Sequence, residues 1–170
     1  MTVVGGSAVE IYTQGDYVSS DLDLVVTSRD RITTVLEKWG FHDDGKLWSR
    51  PAWGIYVDPM QTQLSGSQSR TLVVRTSVGS FRISGVEDLI IRRVRESVAW
   101  PDRQEAFSQA VLLAEHSGSD VDWDYIEFYA EQEGWERPLA ELRRFAGKLA
   151  PERVGRPGQE GRDKNQWRRN

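Results

Sequence analysis

The chain has 170 residues, no cysteine and a formal net charge of −4, which is enough length for one domain with a buried core and excludes disulfides and cysteine-based zinc sites. No run approaches the roughly 18 apolar residues of a membrane span, and no signal-peptide pattern opens the chain, so the expected compartment is the cytoplasm, with no membrane partner. The acidic balance argues against broad non-specific nucleic-acid binding, while leaving room for an RNA held at one local basic patch.

Met1 to Val4 reads as a very short first strand, followed at once by a Gly5-Gly6-Ser7 turn and a short helix over Ala8 to Tyr12. Thr13 to Ser20 is a polar loop. Asp21 to Val26 reads as a central strand, because it is apolar apart from its two acids. Ile32, Val35, Leu36 and Trp39 fall at i, i+3, i+4 and i+7 and predict an amphipathic helix over Arg29 to Trp39, with Ser28 as cap and Gly40 at its C-terminal stop.

Phe41 to Pro59 predicts a hairpin, with strands at Leu47 to Ser49 and Gly54 to Asp58. A second hairpin joins Leu72 to Thr76 and Ser80 to Ile83 through Ser77-Val78-Gly79. Ser84-Gly85-Val86-Glu87 fits a capping box and opens a helix from Val86 to about Ser97. Further helices are expected over Asp102 to His116, Asp122 to Gln132 and Pro138 to Leu149. From Pro151 onward the chain holds six basic residues against three acids and almost no apolar ones, and it reads as a disordered tail. The expected organisation is an α/β core over residues 1–84, a helical region packed on it over 85–150, and the tail over 151–170.

The chemistry concentrates in two places. Asp21 and Asp23 stand at i and i+2 of an apolar strand and therefore point to one face. Two carboxylates on one face repel, and a divalent cation is the natural compensation. Taken alone, the pair is equally consistent with a strand whose acids face water. Gly5, Gly6 and Ser7 allow close backbone approach at a helix N-terminus, a setting that suits phosphate, although Gly-Gly-Ser is equally a plain tight turn.

Together, the Gly-Gly-Ser turn and the Asp-Leu-Asp-Leu strand that follows it resemble the signature of the polymerase-β-like nucleotidyltransferase superfamily. The likeness is strongest over residues 3–26 and extends to about residue 145; it is closest to small prokaryotic members, including those of toxin–antitoxin and abortive-infection pairs. It implies a minimal nucleotidyltransferase fold of α+β type: a mixed, twisted sheet with flanking helices and a C-terminal helical cap. It implies a third carboxylate on a later strand, for which Asp58 is the candidate. Asp43 and Asp44 are rivals that fall in a turn, and a turn before Pro59 is the plain reading of Asp58.

The resemblance also implies that Asp21, Asp23 and Asp58 bind Mg²⁺ or Mn²⁺. Gly5, Gly6, Ser7 and Ser20 would contact an NTP, ATP among them, and Arg93 would face the nucleotide from the helix after Glu87-Asp88-Leu89. A solvated basic face is the plain reading of Arg92, Arg93 and Arg95. The acceptor would be a hydroxyl on RNA, on a protein or on a small molecule. Two alternatives stay open, an antitoxin-paired component and a catalytically silent binding module, beside a plain α/β protein with surface acids. Members of the family usually carry a helix before the first strand, so that helix is either absent here or lies upstream of Met1.

Overall fold

The Asp-Leu-Asp-Leu run becomes the middle strand of a seven-stranded mixed sheet. The computed structural model describes residues 1–60, 70–102 and 104–149. The strands are β1 (Thr2–Val3), β2 (Leu22–Val25), β3 (His42–Asp43), β4 (Trp48–Arg50), β5 (Ile55–Met60), β6 (Thr71–Thr76) and β7 (Gly79–Ser84). They lie in the order β3-β4-β5-β2-β1-β7-β6. The β2–β5 and β1–β7 pairs are parallel, and the others are antiparallel.

The helices are α1 (Gly5–Tyr12), α2 (Arg29–Lys38), α3 (Val86–Ala99), α4 (Gln104–Ser117), α5 (Trp123–Glu133) and α6 (Glu136–Leu149). The architecture is α+β, and one hydrophobic core runs from Val3, Val9 and Leu24 through Ile83 and Ile90 to Leu113, Ile126 and Leu142. Among the described residues no helix is long and apolar enough to cross a membrane. The disorder expected of residues 151–170 lies outside the described residues.

Local signals account for most element ends. The Ser28 hydroxyl accepts the Arg31 N–H at 3.4 Å to cap α2, and Gly40 follows with a φ of 75°, a conformation that glycine reaches at little cost. The apolar stripe of α2 is only half used. Leu36 is buried and Ile32 packs against the core, but Val35 and Trp39 are exposed.

The expected capping box at Ser84 does not form as read. Gly85 holds the cap position of α3 without a side-chain cap bond, and Ser84 ends β7, its carbonyl accepting the Tyr12 hydroxyl at 2.9 Å. Glu87 is instead a tie between elements. It is 3% exposed, accepts the Asp122 N–H at 3.1 Å and lies 3.7 Å from Arg70. A buried carboxylate is tolerated only with such partners. Arg70 also pairs with Asp122 at 2.6 Å and lies over the Tyr125 ring at 3.6 Å, so the start of β6 is tied to α3 and α5.

Asp88, beside this network, accepts the Tyr125 hydroxyl at 2.8 Å. Burial pushes its carboxyl above the ordinary range, with the Tyr125 bond opposing. The unfolded chain therefore loses this proton first as pH rises, and stability falls from the ordinary carboxyl range up through the folded value. Asp88→Asn keeps a partner for Tyr125 and removes that slope. Its melting temperature relative to wild type, measured from pH 3 to 7, is expected to rise with pH.

Candidate functional site

Strand β2 carries its acids between two neighbours that fix them differently. On one side β5 runs parallel, and Asp23 is in direct register with Asp58. That register puts Asp23 and Asp58 on one face of two adjacent strands, and Asp21 immediately precedes β2. On the other side the chain leaves β1 and enters α1 beneath the same acids, where the Gly6 N–H donates to Asp23 Oδ2 at 2.9 Å. A carboxylate at a helix N-terminus satisfies one of the donors left over there and suits the local dipole.

The Gly-Gly-Ser turn is built around these carboxylates. Gly5 has a φ of 60°, and a Cβ on it would stand 2.5 Å from the Asp23 carboxyl carbon. A Cβ on Gly6 would stand 2.6 Å from Ser19 Oγ. The Ser7 hydroxyl, read from sequence as a phosphate donor, donates to the Asp21 carbonyl at 2.6 Å and accepts the Asp23 N–H at 3.1 Å. It holds the backbone that carries the two acids. Ser7→Ala leaves the Asp23 N–H without this acceptor and is expected to cost about 1–3 kcal/mol, readable as a lower denaturant midpoint at unchanged slope.

The polar loop is fastened to the same place. Ser19 Oγ also donates to the Asp21 carbonyl at 2.9 Å, and the Ser19 N–H donates to Glu10 at 2.9 Å. Ser20 Oγ bonds Asp21 Oδ1 at 3.3 Å. Across the loop, Asp16 meets His116 of α4 at 2.9 Å.

A cleft of about 840 Å³ opens over Gly6, Ser20, Asp21 and Asp23, with Arg93 of α3 on its opposite wall. That volume lies within the range of sites that enclose small ligands. Of the residues singled out in the sequence, Gly5, Ser7 and Asp58 are not part of the cleft wall; they touch it through Asp21 and Asp23. Arg93 is 13% exposed and pairs with Glu96 at 2.8 Å, so it is not the solvated basic face that Arg92, Arg93 and Arg95 suggest as a run. Arg95 pairs with Glu133 on the far helices. Asp43 and Asp44 sit at the distant β3 edge, where Asp44 accepts the Lys46 and Leu47 N–H groups of a turn.

Burial pushes the Asp23 carboxyl above the ordinary range. The Gly6 N–H opposes that shift, and the charges of Asp21 and Asp58 add to it. Asp21 and Asp58 thus both repel the Asp23 carboxylate, a repulsion that a hard divalent cation among these oxygens would relieve. Among the described residues no three Asp, Glu, His or Cys side chains are grouped so as to hold a metal ion. Asp23 is turned to Gly6.

The rest of the cleft was not visible locally in the sequence. Tyr17, Asp102, Glu105 and Gln109 line it. Burial pushes the Tyr17 hydroxyl up and the Glu105 charge adds to this, with Arg93 and a Gln109 bond opposing. Asp102 and Glu105 read as ordinary acids at the start of a helix, and nothing in their spacing announces a wall opposite β2. No protein-family model, curated protein or solved structure matches this chain.

Proposed function

We propose that the chain is a Mg²⁺-dependent nucleotidyltransferase that moves a nucleoside monophosphate from an NTP to a hydroxyl acceptor. The observation that carries the reading is the union of the in-register Asp23–Asp58 pair with a Gly-Gly-Ser turn bonded to Asp23, both at the edge of a cleft sized for a small ligand. The sequence resemblance to the polymerase-β-like superfamily points the same way.

Asp21, Asp23 and Asp58 would hold Mg²⁺, which when bound neutralises phosphate charge and acidifies an acceptor hydroxyl. Gly5 and Ser7 keep Asp23 and Asp21 in place. Gly6, bare of a side chain, lets a ligand reach the backbone, while Ser20 and Arg93 line the wall beside the phosphates. In the transfer, the acceptor oxygen forms a bond to the α-phosphorus. The bond from that phosphorus to the bridging oxygen breaks, pyrophosphate leaves with the electron pair, and the acceptor proton passes to water. Positioning and charge neutralisation supply the rate, without a covalent enzyme intermediate. NTP and Mg²⁺ are cytoplasmic solutes, and we assign the reaction to that compartment.

The test is incubation with Mg²⁺, each α-labelled NTP in turn, and cell extract, beside Asp21→Ala/Asp23→Ala. Label transferred by wild type alone supports the reading; equal label with both proteins overturns it.

A second reading, a component of a toxin–antitoxin pair, is favoured by one observation. Trp39, Trp53 and Ile55 are exposed near Arg50, whose guanidinium covers the Trp53 ring at 3.2 Å. Exposed aromatic side chains around an arginine are typical of protein interfaces.

A further inference from the structure

The sheet ends in two different edges. β3 is two residues long, and its Asp43 side chain accepts the Gly45 N–H at 2.8 Å in the turn that follows. A short, charged strand of this kind gives an incoming chain little to pair with. β6 forms the other edge. It is six residues long, Thr-Leu-Val-Val-Arg-Thr, free of proline and glycine and rich in β-branched residues. Its strand partner among the described residues is β7 alone, so its outer side presents a row of backbone N–H and C=O groups to another strand.

The side chains of the β6–β7 hairpin indicate which strand that is. Val73 stands opposite Arg82 and Arg75 opposite Ser80, so these four residues share one face. Arg75 and Arg82 are exposed and enter no ion pair among the described residues. Thr71 to Ser84 contains no acid, which makes the hairpin a positive patch on a chain of net charge −4. The opposite face carries Leu72 and Val74, which pack against the core while staying partly open. A second copy pairing antiparallel through β6 would bring the arginines of both hairpins onto one face, where like charges repel.

We infer that β6 is a docking edge for an extended segment of a partner protein in which acidic and apolar residues alternate. The segment adds as a further strand, its main chain bonding to the outer side of β6. Acids at the positions facing Val73 and Arg75 neutralise Arg75 and Arg82. The apolar side chains between them fall beside Leu72 and Val74 and extend the layer those two form. Main-chain hydrogen bonds supply the affinity, and the two arginines select the sequence. None of these residues lines the cleft over Asp21 and Asp23, so the docking edge stands apart from the transfer reading.

The test titrates the full chain at low ionic strength with two capped peptides, Val-Glu-Val-Glu-Val-Glu-Val and the same sequence with lysine in place of glutamate. Backbone amide signals are followed by NMR. The glutamate peptide is expected to bind at least about tenfold tighter than the lysine peptide, with the largest shifts over Leu72 to Arg75. Arg75→Glu/Arg82→Glu, two changes at exposed positions, is expected to reverse the order of the two peptides. N-methylation of every amide of the glutamate peptide, which removes its main-chain donors, is expected to abolish binding. Equal binding of the two peptides, an order unchanged in the double variant, binding that survives N-methylation, or shifts centred outside β6 overturns the inference, as does the absence of binding. A dimer in sedimentation whose protected amides are those of β6 assigns the edge to a second copy and likewise overturns it.

Discussion

Asp23→Asn is expected to lower nucleotide transfer at least about 100-fold, which is about 2.7 kcal/mol of activation barrier, without unfolding the protein. Asp23 has two separable tasks. One is structural: its Oδ2 accepts the Gly6 N–H at 2.9 Å at the start of α1. Asparagine still offers a carbonyl oxygen there, and asparagine is as good a partner for a helix N-terminus as aspartate. The other task is electrostatic. Asp23 lies in register with Asp58, and burial together with the charges of Asp21 and Asp58 pushes its carboxyl up. A shared cation, as proposed, would reverse that balance, and the amide, having no charge, could not contribute. Melting temperature and transfer rate, measured on the same preparation, separate the two tasks. An active asparagine variant would remove Asp23 from the metal site.

Gly5→Ala is expected to destabilise the fold by about 3 kcal/mol, lowering the melting temperature by roughly 10 °C, and to weaken nucleotide binding together with it. Two costs combine. The residue has a φ of 60°, where a Cβ is strained, and that Cβ would meet the Asp23 carboxyl carbon at 2.5 Å. The carboxylate has little freedom to retreat, because the backbone beneath it is held by Ser7. Gly15→Ala supplies the comparison: its φ is 91°, with nothing within 4 Å of the added Cβ, so it carries the backbone strain alone, about 1–2 kcal/mol. Circular-dichroism melting of both variants and titration with Mg²⁺-ATP read the difference. Equal losses in the two would mean that contact with Asp23 contributes nothing.

Much of the fold could be read along the chain, where local pattern and tertiary demand agree. Leu22 to Val25 is apolar save for Asp23, and it becomes the middle strand. Val78-Gly79 turns a strongly β-prone segment back on itself, and Thr71–Thr76 pairs with Gly79–Ser84 in the expected hairpin. Local pattern is silent where a residue's partner lies far away in sequence. Glu87 sits at capping-box spacing from Ser84, yet its carboxylate meets the Asp122 backbone 35 residues on. Trp39 completes a helical stripe, yet it is exposed, because where a stripe ends up depends on what packs beneath it rather than on its period.

The candidate site divides in the same way. Asp21 and Asp23 are marked by their alternation, and Gly5, Gly6 and Ser7 by their nearness in sequence. The engagement of the Ser7 hydroxyl with the β2 backbone was hidden, because it depends on how closely α1 passes under β2. The second wall of the cleft comes from Tyr17, Arg93, Asp102, Glu105 and Gln109, and packing of α3 and α4 against α1 brings these together. Orphaned atoms such as Gln109 Oε1 exist only once that packing is known.

The most direct measurement is Mn²⁺ binding by electron paramagnetic resonance, with and without ATP, on wild type and on Asp21→Asn/Asp23→Asn. ATP is expected to tighten Mn²⁺ binding to the wild-type protein, the double variant to lose this effect while staying folded, and chelation of the metal to abolish transfer. Mn²⁺ and ATP binding that is the same in both proteins would contradict the proposed metal site.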